Sequence, residues 1–564
     1  MAQKVVKNVQ TKPIGFAPIL AHYFKKCAIV DIIDAHVRLD ARRKVLTHGQ
    51  AAMAMITGIL FQAMQLYRIC QFAKESTVLD VLLPGIDACE YFDDRMADTL
   101  DAMFYYGLGN LEAQITRKMI DAFDIENEIC HNDTTCALVY GNCDNNQSDQ
   151  SIKISFGYSK KYRNDLKQLV WSMSVSSDSA FPLFQQAFSG NTADVDTYAK
   201  QWHNLIDLLG RQDFLFVGDS KVASKSNMAH IHEHDGFFLS PLPMYASYNR
   251  AFNDALNQHR FELLLAYKEK INRGFEVPLT IDHDGRLYPF RMIILFDHGL
   301  FIRKNHSLTQ RIEKSQAAFD LLASKLNTYR LKTRAAIDKA CKGIVKKYQV
   351  SEFLQYSIHS DPKLTYKNKK KGRPSATQPV EKVKIVKEHF RLQVHLNEKA
   401  VEDARYRAGY YPLVTNKPAE ALSIQEAMIA HKNQYKVEHT YRRSKTNLSL
   451  EPIYLQTPER IEAYLFLFKI ALQIIVLMER TARSNIRSRN KGLDEFMPNK
   501  KDYRRPKAEY LLQKFEFVVV GRMPLADGKI YGFVSELNDL QNDILDILEV
   551  PAECFSFQYL FDTS

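Results

Sequence analysis

Apolar positions near the start of the chain follow helical spacing. Residues 14 to about 124 read as helices, and GQAAMAMITGILFQAMQLYRI (Gly49–Ile69) has few β-branched residues and no proline, which predicts one helix. The pattern changes near Glu128. NEICHNDTTCALVYG, SIKISFGYS and LKQLVWSMSVS contain short β-favouring runs separated by polar breaks, and FPLFQQAFSGN follows. Helical spacing returns over Thr197–Arg211. DFLFVGDS is a short apolar run ending in an acid, like a buried strand whose C-terminal end carries a functional group. Several strands, a helix and another strand predict a mixed α/β sheet.

Further along, Glu276–His306 reads as hairpin strands with a turn at Asp284-Gly285. Long helices are expected from about Thr309. Ser423-Ile424-Gln425-Glu426 fits a capping box, so a helix starts near Ile424. Ala463–Met478 is the most apolar stretch; it carries Lys469 and Gln473 and is shorter than a membrane span, so a buried helix is expected and no membrane partner. No solenoid repeat or low-complexity linker interrupts the chain.

Charge changes the picture. A chain of 564 residues suggests two to four domains, and its net charge of +11 suggests a polyanionic partner. The excess is local. Arg303–Arg373 has 18 basic and 5 acidic residues and ends in KNKKKGRPS; Arg480–Lys507 has 10 and 3; Met1–Asn110 is nearly neutral with 12 and 11. The first window is either a solvated charged surface or a DNA-contacting one carrying Lys369, Lys370, Lys371 and Arg373. Lys160, Lys161 and Arg163 likewise read as a DNA contact or a solvated turn. The eight cysteines form no CxxC pair and read as reduced thiols. MAQKVVKNVQ lacks the apolar core of a signal peptide, and a cytoplasmic protein is expected.

Three acids stand out by context: Asp133 inside a strand-like run, Asp219 at the end of FLFVGD, and Glu438 in a helix. Hard divalent cations take oxygen ligands, and two of them about 4 Å apart can clamp a reacting phosphodiester. Glu438, Arg442 and Lys445 share a helix face, which suits a metal ligand beside phosphate-binding cations or simply a solvated stripe. His230, His232 and His234 invite a metal reading, but His232 leaves the face that the other two share, and a surface or packing role is expected.

Asn132-Asp133-Thr134-Thr135, GYSKKYRNDLKQLVW, AFSGNTADVDT, FLFVGDSKVASKSN, GYYPLVTN (Gly409–Asn416) and YKVEHTYRRSKTNLSLEPIYLQTPERIEAYLFL resemble, in order and approximate spacing, landmarks of bacterial insertion-sequence transposases of the DDE class. The resemblance runs over roughly residues 14 to 550. It implies a ribonuclease-H-like catalytic core interrupted by a β-plus-helix insertion, with an all-helical N-terminal domain. The implied divisions are 1–124 for DNA binding, 125–261 and 401–482 for the two parts of the core, 262–400 for the basic insertion, and 483–564 for a C-terminal region. Asp133, Asp219 and Glu438 would then be the catalytic, metal-binding triad, holding two Mg²⁺ ions with Mn²⁺ able to substitute, while Lys445 and Arg442 would steady phosphates. Family members carry a Tyr-Arg-Glu-Lys signature; here His431 and Gln434 stand at its Tyr and Arg positions. The implied partners are double-stranded DNA, as terminal inverted repeats and target, and a second copy in a homodimer. A nuclease of the same fold without strand transfer, or a catalytically inactive DNA-binding descendant, are the alternatives.

Overall fold

The computed structural model describes residues 10–40, 45–62, 65–141, 143, 148–157, 163, 165–258, 262–369, 381–498, 500–524 and 530–561. Internal contacts divide the chain into two units. The first holds Met1–Pro243, Pro278–Arg291 and Val414–Ser564; the second holds Met244–Val277 and Met292–Leu413.

Among the described residues the first element is a strand, β1 (Gln10–Pro13), ahead of the expected helices. The helices are α1 (Ala17–Cys27), α2 (Ile29–His36), α3 (His48–Leu60), α4 (Leu66–Glu75), α5 (Val78–Leu82), α6 (Asp93–Tyr106) and α7 (Leu108–Phe123). The single helix expected over 49–69 is two. α3 starts in a capping box between Thr47 and Gln50 and stops at Leu60. Phe61 then stacks on Phe16 with ring centroids 3.9 Å apart, and Gln62 turns with φ +60°.

Five neighbouring strands of a larger mixed sheet build the core: β2 (Ile129–Val139), β3 (Lys167–Ser176), β4 (Pro182–Ser189), β5 (Leu215–Val217) and β6 (Phe237–Pro241), in the order β4-β3-β2-β5-β6. β2, β3 and β4 pair antiparallel, whereas β5 and β6 join β2 in parallel. Helices α8 (Asp194–Leu209) and α9 (Lys225–Glu233) provide the crossovers. This order and these directions are the ribonuclease-H-like topology. Residues 151–157, the described part of SIKISFGYS, form no strand beyond one bridge between Ser155 and Gln168. There the Ile152 N–H donates to Glu462 at 2.9 Å and the Lys153 N–H to Ser189 Oγ at 3.0 Å.

Between β6 and the rest of the core the chain enters the second unit. α10 (Ala246–Gln258) leads to β7 (Leu263–Tyr267), which pairs antiparallel with the start of β8 (Lys270–His283). β9 (Arg286–Phe296) follows a turn with positive φ at Asp284 and Gly285, as the sequence suggested. The expected strand character fails beyond Phe296. Asp297 accepts from the Leu300 amide at 2.8 Å and starts α11 (His298–Ser324), so the long helix begins before Thr309. α12 (Arg334–Tyr348), a two-stranded ribbon of β10 (Leu354–Asn368) and β11 (Lys382–Leu396), and α13 (Glu398–Arg407) complete that unit around a core of Leu308, Ile312, Phe319, Ile337, Phe390 and Val401.

β12 (Tyr410–Thr415) returns the chain to the first unit, where the Thr415 hydroxyl donates to Phe238 O at 2.6 Å. α14 (Ile424–Lys432) begins in the expected Ser423–Glu426 capping box, but Glu438 lies in a separate helix, α15 (Tyr435–Thr446). α16 (Pro458–Arg489) is the core helix predicted from its apolar run; it is long and apolar enough to cross a membrane, yet 94% of that stretch is buried within the protein. α17 (Ala508–Gln513), β13 (Val519–Pro524), β14 (Ile530–Val534), α18 (Asp539–Leu548) and α19 (Phe557–Phe561) follow. β1 pairs with β13, so residues 10–13 join the chain's last sheet. The helices before residue 124, expected as a separate domain, belong to the same unit as the core sheet.

Candidate active site

The register of two parallel strands sets the first two acids. β2 and β5 pair Ile129 with Leu215, Cys130 with Phe216 and His131 with Val217. Asp133 stands two residues further along β2, and Asp219 two residues past the end of β5. Gly218 lets the chain run close to β2: a Cβ there would lie 2.5 Å from Val222 Cγ2 and 3.4 Å from Asn132 O. Asp219 is then fixed. Its Oδ1 accepts from the Tyr198 hydroxyl at 2.7 Å and the Lys221 amide at 2.9 Å, and its carbonyl accepts from Ser240 at 2.6 Å.

Glu438 is delivered by α15. Buried Val437, Thr440, Tyr441 and Ser444 seat this helix on the core. Residues 434, 438, 441 and 445 form one stripe along it. Three of the four touch β2 in sequence. Gln434 donates to Asn132 O at 2.7 Å and meets His131 Nδ1 at 3.1 Å; the Tyr441 hydroxyl lies 2.8 Å from Asp133 O and 2.9 Å from Trp171 O; Lys445 donates to Thr135 Oγ1 and Cys136 O at 2.7 and 2.8 Å. Glu438 belongs to that stripe and is itself exposed. Burial lowers His131 to about 4, so it meets Gln434 as a neutral ring.

Asp133 thus lies within β2, Asp219 just past β5 and Glu438 on the helix packed against β2, and carboxylate oxygens suit a hard divalent cation in kind. They are not drawn together as a finished cage: among the described residues no three His, Cys, Asp or Glu side chains are grouped to hold an ion. His230 meets His203 at 2.8 Å between Nε2 atoms, while His232 packs on Tyr288 and Phe290.

The expected DNA-binding side chains divide. Lys445 is turned inward, on the strand and 3.4 Å from Glu451, rather than toward solvent. Arg442 is exposed and opens on a cavity of about 370 Å³ with Tyr435, His439, Arg483 and Lys507. Lys369 is exposed and pairs with Glu381 at 2.9 Å. Lys370, Lys371 and Arg373 lie outside the described residues, as do Lys160 and Lys161; Arg163 pairs with Asp165 at 2.8 Å. Sequence reasoning missed Tyr441, Tyr198 and Ser240. Tyr441 was legible only as an aromatic three residues after the helical acid.

Residues 155–474 match the family model described as "Transposase DDE domain", and residues 9–117 match a "Domain of unknown function (DUF4277)". No curated protein matches the chain. Among solved structures, a match is the cryo-EM structure of a piggyBac transposase synaptic complex with hairpin DNA, at 8% identity, over 98% of this chain and 86% of that one, with a TM-score of 0.38. Because the transposase model spans more than half of its length, the chain belongs to the DDE transposase family.

Proposed function

We propose that the protein binds the terminal inverted repeats of an insertion sequence, cleaves the element ends and joins them to target DNA, with Asp133, Asp219 and Glu438 as its catalytic carboxylates. The observation that supports this reading is the place of Asp133 on β2 and of Asp219 just past its parallel neighbour β5, with Glu438 on the α15 stripe whose other members contact β2.

Asp133 and Asp219 would hold Mg²⁺, or Mn²⁺ in its place, with Glu438 completing a second ion's set. When bound, such ions supply Lewis-acid polarisation of the phosphodiester and charge stabilisation at the attacking and leaving oxygens. Tyr198 and the Lys221 amide orient Asp219, while Tyr441 fixes the strand at Asp133 against the helix bearing Glu438. In the first step water attacks the phosphorus at the element end, the P–O3′ bond breaks, and a 3′-hydroxyl and a 5′-phosphate result. In the second that hydroxyl attacks a target phosphodiester; one P–O bond forms, one breaks, and a target 3′-hydroxyl leaves. No oxidant or nucleotide is consumed. Two protomers would act on paired ends. Arg442, exposed beside Glu438, suits a phosphate contact better than Lys445 does.

The test is Asp133→Ala, with Asp219→Ala and Glu438→Ala beside it, in Mg²⁺-dependent cleavage of a duplex bearing the terminal repeat. Each variant is expected to lose cleavage by at least ~1000-fold while still retarding the duplex. Retained cleavage in Asp133→Ala would remove this site assignment. Cleavage without joining of a pre-cut end to plasmid would favour a nuclease, and binding without any cleavage an inactive descendant.

A further inference from the structure

The ribbon β10–β11 carries a surface that the catalytic reading does not use. Its two strands stay in register from Leu354 opposite Leu396 to Asn368 opposite Lys382. Its near half belongs to the core of the second unit: Leu354, Ile358 and Phe390 are buried, with Tyr356, Leu392 and Val394 packed beside them. Beyond that the cover ends. In 361–369 and 381–389 every residue is exposed except the half-buried Thr365 and Ile385. At about 3.3 Å per residue this far half is on the order of 25 Å long, roughly three quarters of a turn of duplex DNA.

Its charges are arranged for an anion. Lys363 and Lys387 are directly opposite one another on one face, with Lys367 four residues beyond Lys363 on the same face; Lys384 and Lys382 occupy the other face. Like charges directly opposite destabilise a strand pair. None of these five lysines has an acidic partner among the described residues, because Asp361 is taken by Arg391 and Glu381 by Lys369. Glu388, across from Pro362, is the remaining acid. A second copy of the same arm would add positive charge to positive charge. A duplex would turn the repulsion into attraction and release its counterions, and its major groove admits a two-stranded ribbon.

We infer that the far half of this ribbon is an arm that lies along duplex DNA and holds its phosphates without reading bases. The inference rests on the transposase reading and adds to it a sequence-independent contact. The experiment uses the full chain and Lys363→Gln/Lys387→Gln, titrated into a terminal-repeat duplex and an unrelated duplex from about 50 to about 200 mM salt. The double variant is expected to melt as the parent does and to bind both duplexes roughly tenfold more weakly, with its log–log salt slope reduced by about 2. An unchanged slope and affinity would overturn the arm, as would a loss confined to the terminal repeat, or altered self-association without DNA in sedimentation. A parent chain that binds both duplexes equally, with the arm's effect intact, would instead remove the end-recognition reading and leave the arm standing. Binding to neither would remove both.

Discussion

Tyr441 holds the candidate site together through one hydroxyl proton that two backbone carbonyls share. Tyr441→Phe is expected to lower stability by about 1 kcal/mol, the worth of one such bond, and to reduce end cleavage by roughly tenfold with DNA binding unchanged. Cleavage equal to that of the parent would remove its positioning role. Lys445 gives the opposite lesson. Resemblance to the family marks it as a phosphate contact, yet its ammonium is spent on Thr135, Cys136 and the nearby Glu451. Lys445→Met should therefore lower the melting temperature and leave the salt dependence of DNA binding unaltered. A salt slope smaller by about 1 would restore the phosphate contact. The sequence made both residues visible as members of a helix, but not their direction, because helical spacing reports which residues share a face and not what that face meets.

At the scale of elements, acids on α16 reach the chain ahead of β3. Glu462 accepts from the Ile152 amide and Lys153 donates to Ser189, and the β-favouring run SIKIS keeps only the bridge from Ser155 to Gln168. Burial raises Glu462 from 4.5 to about 7. Between those values the folded chain holds a proton that the unfolded chain releases. The associated stability is complete below pH 4.5 and is lost as pH rises through 7, with a ceiling of about 3 kcal/mol. Melting temperature measured across that window should fall with pH in the parent and stay flatter in Glu462→Gln; parallel curves would contradict the assignment. Other elements could be read in advance because their signals are local: the Ser423 capping box, the Asp284-Gly285 turn and the apolar run of α16. The break of 49–69 into two helices could not, since it follows from Phe61 stacking on a residue 45 positions earlier.

Across the first unit, α7 and α16 meet through Lys469 and Glu112, 3.3 Å apart and almost wholly enclosed. Burial lowers Lys469 to about 8 and raises Glu112, while each partner opposes the shift of the other. Removing one charge strands its partner. Lys469→Met should cost about 3 kcal/mol or more in denaturant unfolding, and adding Glu112→Gln should recover over half of the loss. Additive losses would show that the two groups act independently. Composition placed a lysine and a glutamine in this helix without indicating that the lysine reaches a glutamate more than 350 residues away. Such long returns recur: the Tyr23 hydroxyl donates to Leu548 O, and β1 pairs with β13. During translation Gln10–Pro13 must therefore wait for Val519–Arg522 to leave the ribosome before its backbone is satisfied. A message cut short before that point yields a product with an open seam, so this part of the fold closes only after Arg522 has been made.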